Sequence, residues 1–145
     1  MSARPNWTVP SGWREQPPSQ MALAKFIVGA DGPSTAEVTV TAFDKEAGGI
    51  LDNVNRWRGQ VSLPPVTQSQ LDQNVASLDL NGAKAILVDV TGISPKNGKK
   101  TRIIGAIVPR EGKTWFFKMT GDEQVADKEK TAFVKFVQTV QFPDA

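Results

Sequence analysis

The amino-acid sequence predicts an α+β fold, a three-layer α/β/α sandwich around an antiparallel sheet of about six strands. Three observations predict it. The segment SLDL-NG-AKAILVDV (77–90) places Asn81-Gly82 between two strand-like runs, and a two-residue type I′ hairpin needs positive φ at both central positions. The runs AILV (85–88), IIGAIV (103–108) and WFF (115–117) are apolar on both strand faces, so the sheet needs a cover on each side. Two segments, 48–61 and 122–140, have the apolar period of a helix and the length to be those covers.

The first 20 residues carry Pro5, Pro10, Pro17 and Pro18, with Trp7 and Trp13 between them. Prolines at that density forbid a helix and favour extended backbone. Two tryptophans are too much apolar surface to leave in water, so residues 1–20 read as an extended arm packed on a single domain spanning 1–145. MALAKFIV (21–28) and AEVTVTAF (36–43) follow as a hairpin with a longer loop, Val38, Val40 and Ala42 alternating with Glu37, Thr39 and Thr41. After Gly48-Gly49 a helix sets in. Ile50, Val54, Trp57 and Val61 recur at i, i+4, i+7 and i+11, and Pro64-Pro65 stops the segment. A second short helix starts at Thr67, whose hydroxyl can cap while Gln70, three residues on, reaches back.

Four antiparallel strands come next, at about 76–80, 83–90, 102–109 and 113–119, turned at Asn81-Gly82, Asn97-Gly98 and Gly112. The last helix begins at TGDE, where Thr120 and Glu123 match a capping box and Asp122 suits the positive helix end. Val125, Ala132, Phe133, Phe136, Val137 and Val140 supply its apolar stripe.

Composition narrows the chemistry. The chain has 145 residues, 39% hydrophobic and 22% charged, an ordinary globular balance. Seventeen basic and fifteen acidic side chains leave a net charge of +2, less than a nucleic-acid binder usually concentrates. Cysteine and histidine are both absent, which removes disulfides, thiolate nucleophiles, imidazole bases and Cys/His metal sites. No G-x-S-x-G or S-x-x-K occurs. The stretch GISPKNGKKT is not a phosphate-binding P-loop, because five residues rather than four separate Gly92 from Gly98 and Lys99 precedes Lys100. The acidic pairs Asp44/Glu46, Asp122/Glu123 and Asp127/Glu129 do not by their spacing make a catalytic dyad.

Three longer motifs carry a resemblance. W-x-V-P-x-G-W at 7–13, A-G-G-x-x-x-N-V-N-R-W-R-x-Q at 47–60 and T-W-F-F-K-M-T-G-D at 114–122 are similar to those of an uncharacterised bacterial family of exported proteins and lipoproteins, of planctomycete and verrucomicrobia type. The architecture resembles the PsbP-like fold, named for an accessory subunit of photosystem II and shared with a Ran-binding nuclear transport factor. Neither resemblance brings catalytic residues. The broader fold implies protein binding, by analogy only.

Two groups of residues are candidate sites. On the 50–61 helix Trp57 belongs to the buried stripe, Asn53, Arg56 and Gln60 form a polar rail beside it, and Asn55 and Arg58 lie on the other side. In one reading the rail satisfies backbone groups of the arm or of the 62–66 loop. In the other, together with Gly48-Gly49 at the helix start, it binds an acidic ligand. Lys96, Lys99, Lys100 and Arg102 gather at a hairpin tip, either as a solvated turn or as a dock for an acidic protein or membrane surface. Nucleic acid is not expected, since Trp115, Phe116 and Phe117 read as strand core and not as exposed stacking platforms.

The expectation is therefore a non-enzymatic binding or accessory domain with no cofactor and no metal, engaging a protein partner in the cell envelope. The alternative is a domain that binds a small anion or other small ligand, or an enzyme, using a cleft beside the 48–60 helix. The opening MSARPNWTVPSG lacks an apolar run, so export rests on a signal or lipid anchor upstream of residue 1, with a cytoplasmic protein as the alternative.

Overall fold

A computed structural model of the chain describes residues 5–19, 22–29, 35–44, 49–80, 82–110 and 112–142. Its strands are β1 (Arg14–Gln16), β2 (Ala24–Val28), β3 (Ala36–Asp44), β4 (Ala76–Leu80), β5 (Ala83–Ile93), β6 (Lys100–Arg110) and β7 (Lys113–Asp122). The helices are α1 (Ile50–Gln60), α2 (Gln68–Asn74) and α3 (Glu123–Gln138). All the strand pairs are antiparallel, in the order β1-β2-β3-β7-β6-β5-β4.

The sheet has seven strands where about six are predicted. The extra one is β1, three residues long, which lies in the proline-rich segment and pairs Glu15 with Phe26. The β4-β5, β5-β6 and β6-β7 hairpins turn at Gly82, Gly98 and Gly112, each with positive φ. Asn81 lies outside the described residues, as do Gly48 and Glu46.

Each strand face has its own core. Val38, Val40, Ile104, Ala106, Val108, Phe117 and Met119 point to one side and meet Phe133, Phe136 and Val137 of α3. Ile103, Ile107, Phe116 and Val88 point to the other and meet Val54 and Trp57 of α1, with Val61 and Leu71. Ile103 next to Ile104 and Phe116 next to Phe117 are thus shared between layers by strand alternation. Both helices bury the stripes read from their periodicity.

The segment before β2 packs on the α3 face. Trp13 is buried, and both Trp7 and Trp13 stack on Phe26 and Phe136 at centroid distances of 5.1–6.4 Å. Trp13 Nε1 donates to Glu129 Oε1 at 3.0 Å. Asn6 and Gln141 exchange both backbone hydrogen bonds, at 2.9 and 2.7 Å.

Two local expectations separate here. Thr67 and Gln70 form the reciprocal capping box at the start of α2. The one expected at Thr120 and Glu123 does not form. Strand β7 runs on through Asp122, which itself caps α3 by accepting from Gln124 N and Val125 N. Thr120 is left in the sheet. Helix α1 also ends earlier than the proline pair requires, at Gln60, with Ser62 in the left-handed region at φ 61°.

Candidate functional site

On the α1 side, β3 and β7 change character along their length. Glu37, Thr39, Lys118 and Thr120 occupy the positions whose neighbours Val38, Val40, Phe117 and Met119 fill the opposite core. The register sets Thr39 opposite Lys118 and Glu37 opposite Thr120, so the four form one polar patch. Helix α1 walls it with Arg56, Gly59 and Gln60, and the β5-β6 turn closes the end with Ser94, Pro95 and Lys96. Together with Thr101 they enclose a cleft of about 640 Å³.

Lys118 is its centre. A lysine is seldom buried without a carboxylate partner. Among the described residues no carboxylate comes within ion-pair distance of Lys118; the cleft's one acid, Glu37, pairs with Lys25 at 3.1 Å. The ammonium instead lies 5.5 Å from the centroid of the Trp57 ring and donates to Gln60 Oε1. Burial pushes Lys118 down to about 8; Arg56 adds to the shift, Glu37 opposes it, and Lys96 lowers it further. The folded chain releases this proton near 8, whereas the unfolded chain holds it to about 10.5. The cost of the half-buried ammonium is therefore fully present below pH 8, and stability should rise as pH climbs from about 8 to about 10.5. Urea melts across that window, with Lys118→Met as the control lacking the slope, measure it.

The rail on α1 is brought together only in part. Arg56 and Gln60 line the cleft, but Asn53 is 3% exposed and its Nδ2 donates to Gly49 O at 2.9 Å, tying the helix to its own start. The sequence predicts that the rail satisfies backbone groups of the arm or of the 62–66 loop; Asn53 bonds within its own helix and Gln60 accepts from Lys118. The opposite flank holds the loop: Asn55 exchanges two hydrogen bonds with the backbone of Val66, at 3.0 and 2.8 Å, and Arg58 Nε donates to Pro64 O at 2.7 Å. The loop returns on the Asn55 side because Pro64-Pro65 turn the chain toward α2, whose Leu71 packs with Val54 and Trp57. Asn55→Ala should then cost about 1–3 kcal/mol by leaving a part-buried N–H and C=O unpaired. Arg56→Ala should stay within about 0.5 kcal/mol. Chemical denaturation of the two variants checks the order.

The basic cluster at the hairpin tip also divides. Lys96, Lys99 and Lys100 are all exposed, and of the three Lys96 lines the cleft. Arg102 goes to the other face of the sheet, where it grips Asp89 with two bonds of 2.8 and 2.6 Å and Asp127 of α3 at 3.1 Å. Lys130 joins Asp89 at 2.8 Å. Burial acts to raise the Asp89 carboxyl, but bonds and charge from Arg102 and Lys130 outweigh it and hold it below its usual range. Arg102 thus pins α3 to β5 and is not part of a docking loop.

Sequence reading missed Lys118, Glu37, Thr39, Ser94, Thr101 and Thr120. The signal was present for two of them: in TWFFKMT a lysine and a threonine interrupt, two apart, a strand otherwise apolar on both faces.

No family model and no curated protein sequence matches the chain. Solved structures do. LpqN, involved in cell envelope biogenesis of Mycobacterium tuberculosis, aligns over 96% of this chain and 83% of its own, with a TM-score of 0.59 at 13% identity. Cyanobacterial PsbP from Synechocystis sp. PCC 6803 aligns over 96% and 86%, with a TM-score of 0.57 at 13% identity. A crystal structure from Bacteroides thetaiotaomicron VPI-5482 aligns over 97% of this chain, which spans 45% of that one's length, with a TM-score of 0.56 at 10% identity. The chain has the PsbP-like fold. Among the described residues no helix is long and apolar enough to cross a membrane.

Proposed function

We propose that the protein is a non-enzymatic binding domain of the cell envelope that holds an anionic ligand in the cleft between α1 and the sheet. The observation that carries this reading is the charge of the cleft. Lys118, Arg56 and Lys96 converge on it, and the single acid is already paired with Lys25. Three cations against one acid leave the cleft with an excess of positive charge, which an entering anion would offset. The envelope setting is supported by the fold shared with LpqN, whose structure is described as that of a protein of cell envelope biogenesis.

Titration with inorganic phosphate tests the site. The melting temperature of the parent should rise with phosphate at about pH 7.5, as for any ligand that binds only the folded state. Lys118→Gln should remove most of the rise. Lys99→Gln with Lys100→Gln should leave it, because those side chains stand outside the cleft. The rise should fade as pH passes through about 8, where Lys118 loses its charge. A shift lost equally in the Lys99/Lys100 variant would move the site to the exposed hairpin tip and favour a protein-docking surface there.

A further inference from the structure

We propose that Lys118 is a site of reversible covalent attachment, its amine condensing with the carbonyl group of a small anionic aldehyde or ketone. The inference rests on the anion-holding reading of the cleft and adds a chemical class to its ligand.

Lysines that ion-pair are poor nucleophiles because the partner carboxylate keeps them protonated. Lys25, Lys84 and Lys130 are of that kind, paired with Glu37, Asp79 and Asp89. Lys118 has the opposite environment. The indole of Trp57 lies beneath it and its hydrogen-bond partner is a neutral amide oxygen, that of Gln60. The charged groups facing it are Arg56 from α1, Lys96 from the β5-β6 turn and Glu37 from β3, the last held by Lys25 of β2. Burial, first, and then the two cations favour the unprotonated amine and outweigh Glu37, which favours the ammonium. At about pH 7.5 about a quarter of Lys118 is then neutral, against about a thousandth of an ordinary lysine. Activating a lysine by desolvation and a neighbouring cation is a recognised route to Schiff-base chemistry.

The same two cations give the selectivity. Arg56 can hold a carboxylate or phosphate oxygen by its forked donors and Lys96 by a point charge, and both line the same cleft as Lys118. A carbonyl carbon carried next to that anion is thereby brought to the amine. In the condensation the nitrogen lone pair forms the C–N bond and the carbonyl π pair goes to oxygen. The nitrogen gives up its two hydrogens and the oxygen leaves with them as water, so the product is an imine and no oxidant or reductant is consumed. Water reverses the step.

Glyoxylate, an aldehyde bearing a carboxylate, is the probe, with glycolaldehyde as its uncharged control and cyanoborohydride to fix any imine as a stable secondary amine. Peptide mapping of the intact chain after limited reaction at about pH 7.5 should place the carboxymethyl group on Lys118 at least about tenfold faster than on exposed Lys99 or Lys100. The labelling rate should climb with pH to a plateau above about 8. Arg56→Gln with Lys96→Gln should abolish the preference for glyoxylate over glycolaldehyde, and Lys118→Arg should remove the fast label. Uniform labelling of the lysines alongside a normal phosphate shift overturns the covalent inference alone. Uniform labelling with no phosphate shift overturns the anion reading as well.

Discussion

Replacing Trp57 with alanine is expected to lower the unfolding free energy by about 3–5 kcal/mol, the range for emptying a large aromatic site. The upper part of that range applies because the hole cannot close. Trp57 is 5% exposed and its six-membered ring packs against Gly105 of β6, where a Cβ would stand 2.3 Å from ring carbon Cζ3. Nothing on the strand can rise to fill the space, since Gly105 sits in an inner strand between Val88 and Lys118. Phe116 loses its edge-to-face partner, 6.2 Å away, and Lys118 loses the ring beneath its ammonium. The same geometry makes Gly105→Ala destabilising by about 1–3 kcal/mol in the parent, as overpacking, but less so in the Trp57→Ala background. Urea denaturation of the two single variants and the double variant measures the coupling. Additive costs would mean that ring and glycine do not meet.

Removal of residues 1–16 is expected to have the second large effect, about 3–6 kcal/mol, twice the value of burying one large apolar side chain. Trp7 and Trp13 cover Phe26 and Phe136, which are otherwise at the outer limit of the α3 core. The shortened chain would expose both rings and leave the outer edge of β2 unpaired, because β1 goes with them. It would also strand Gln141, bonded at both backbone groups to Asn6, and Glu129, which accepts from Trp13. A melting temperature equal to that of the parent would show that these contacts contribute nothing to the folded state. Trp13→Ala, which keeps β1, should fall between the two.

Arg102 shows where local reading stops. In the sequence it is the fourth cation of a basic tip, four residues after Gly98. Its strand position alone sends it through the sheet, because Thr101 and Ile103 face α1 and Arg102 between them faces α3. The period of two was legible; what waited on the far face, Asp127, was not. Asn55 and Arg56 repeat the lesson on a helix. Periodicity separates the two flanks, but which flank meets the 62–66 loop depends on the path the chain takes after Pro64-Pro65.

What the sequence by itself determined is whatever neighbours within a few residues decide. The hairpin glycines, the apolar stripes of α1 and α3, the two-faced strands β5 to β7 and the Thr67 cap all follow from spacing, and together they imply an antiparallel sheet covered on both sides. Tertiary structure alone decided that β3 lies beside β7, that three residues near Trp13 add a seventh strand, and that Lys118 stands over Trp57 against Gln60, 58 positions away in the chain. A charge becomes a site by losing water and its counter-ion. That loss depends on which distant surfaces close around it, and no local pattern records them.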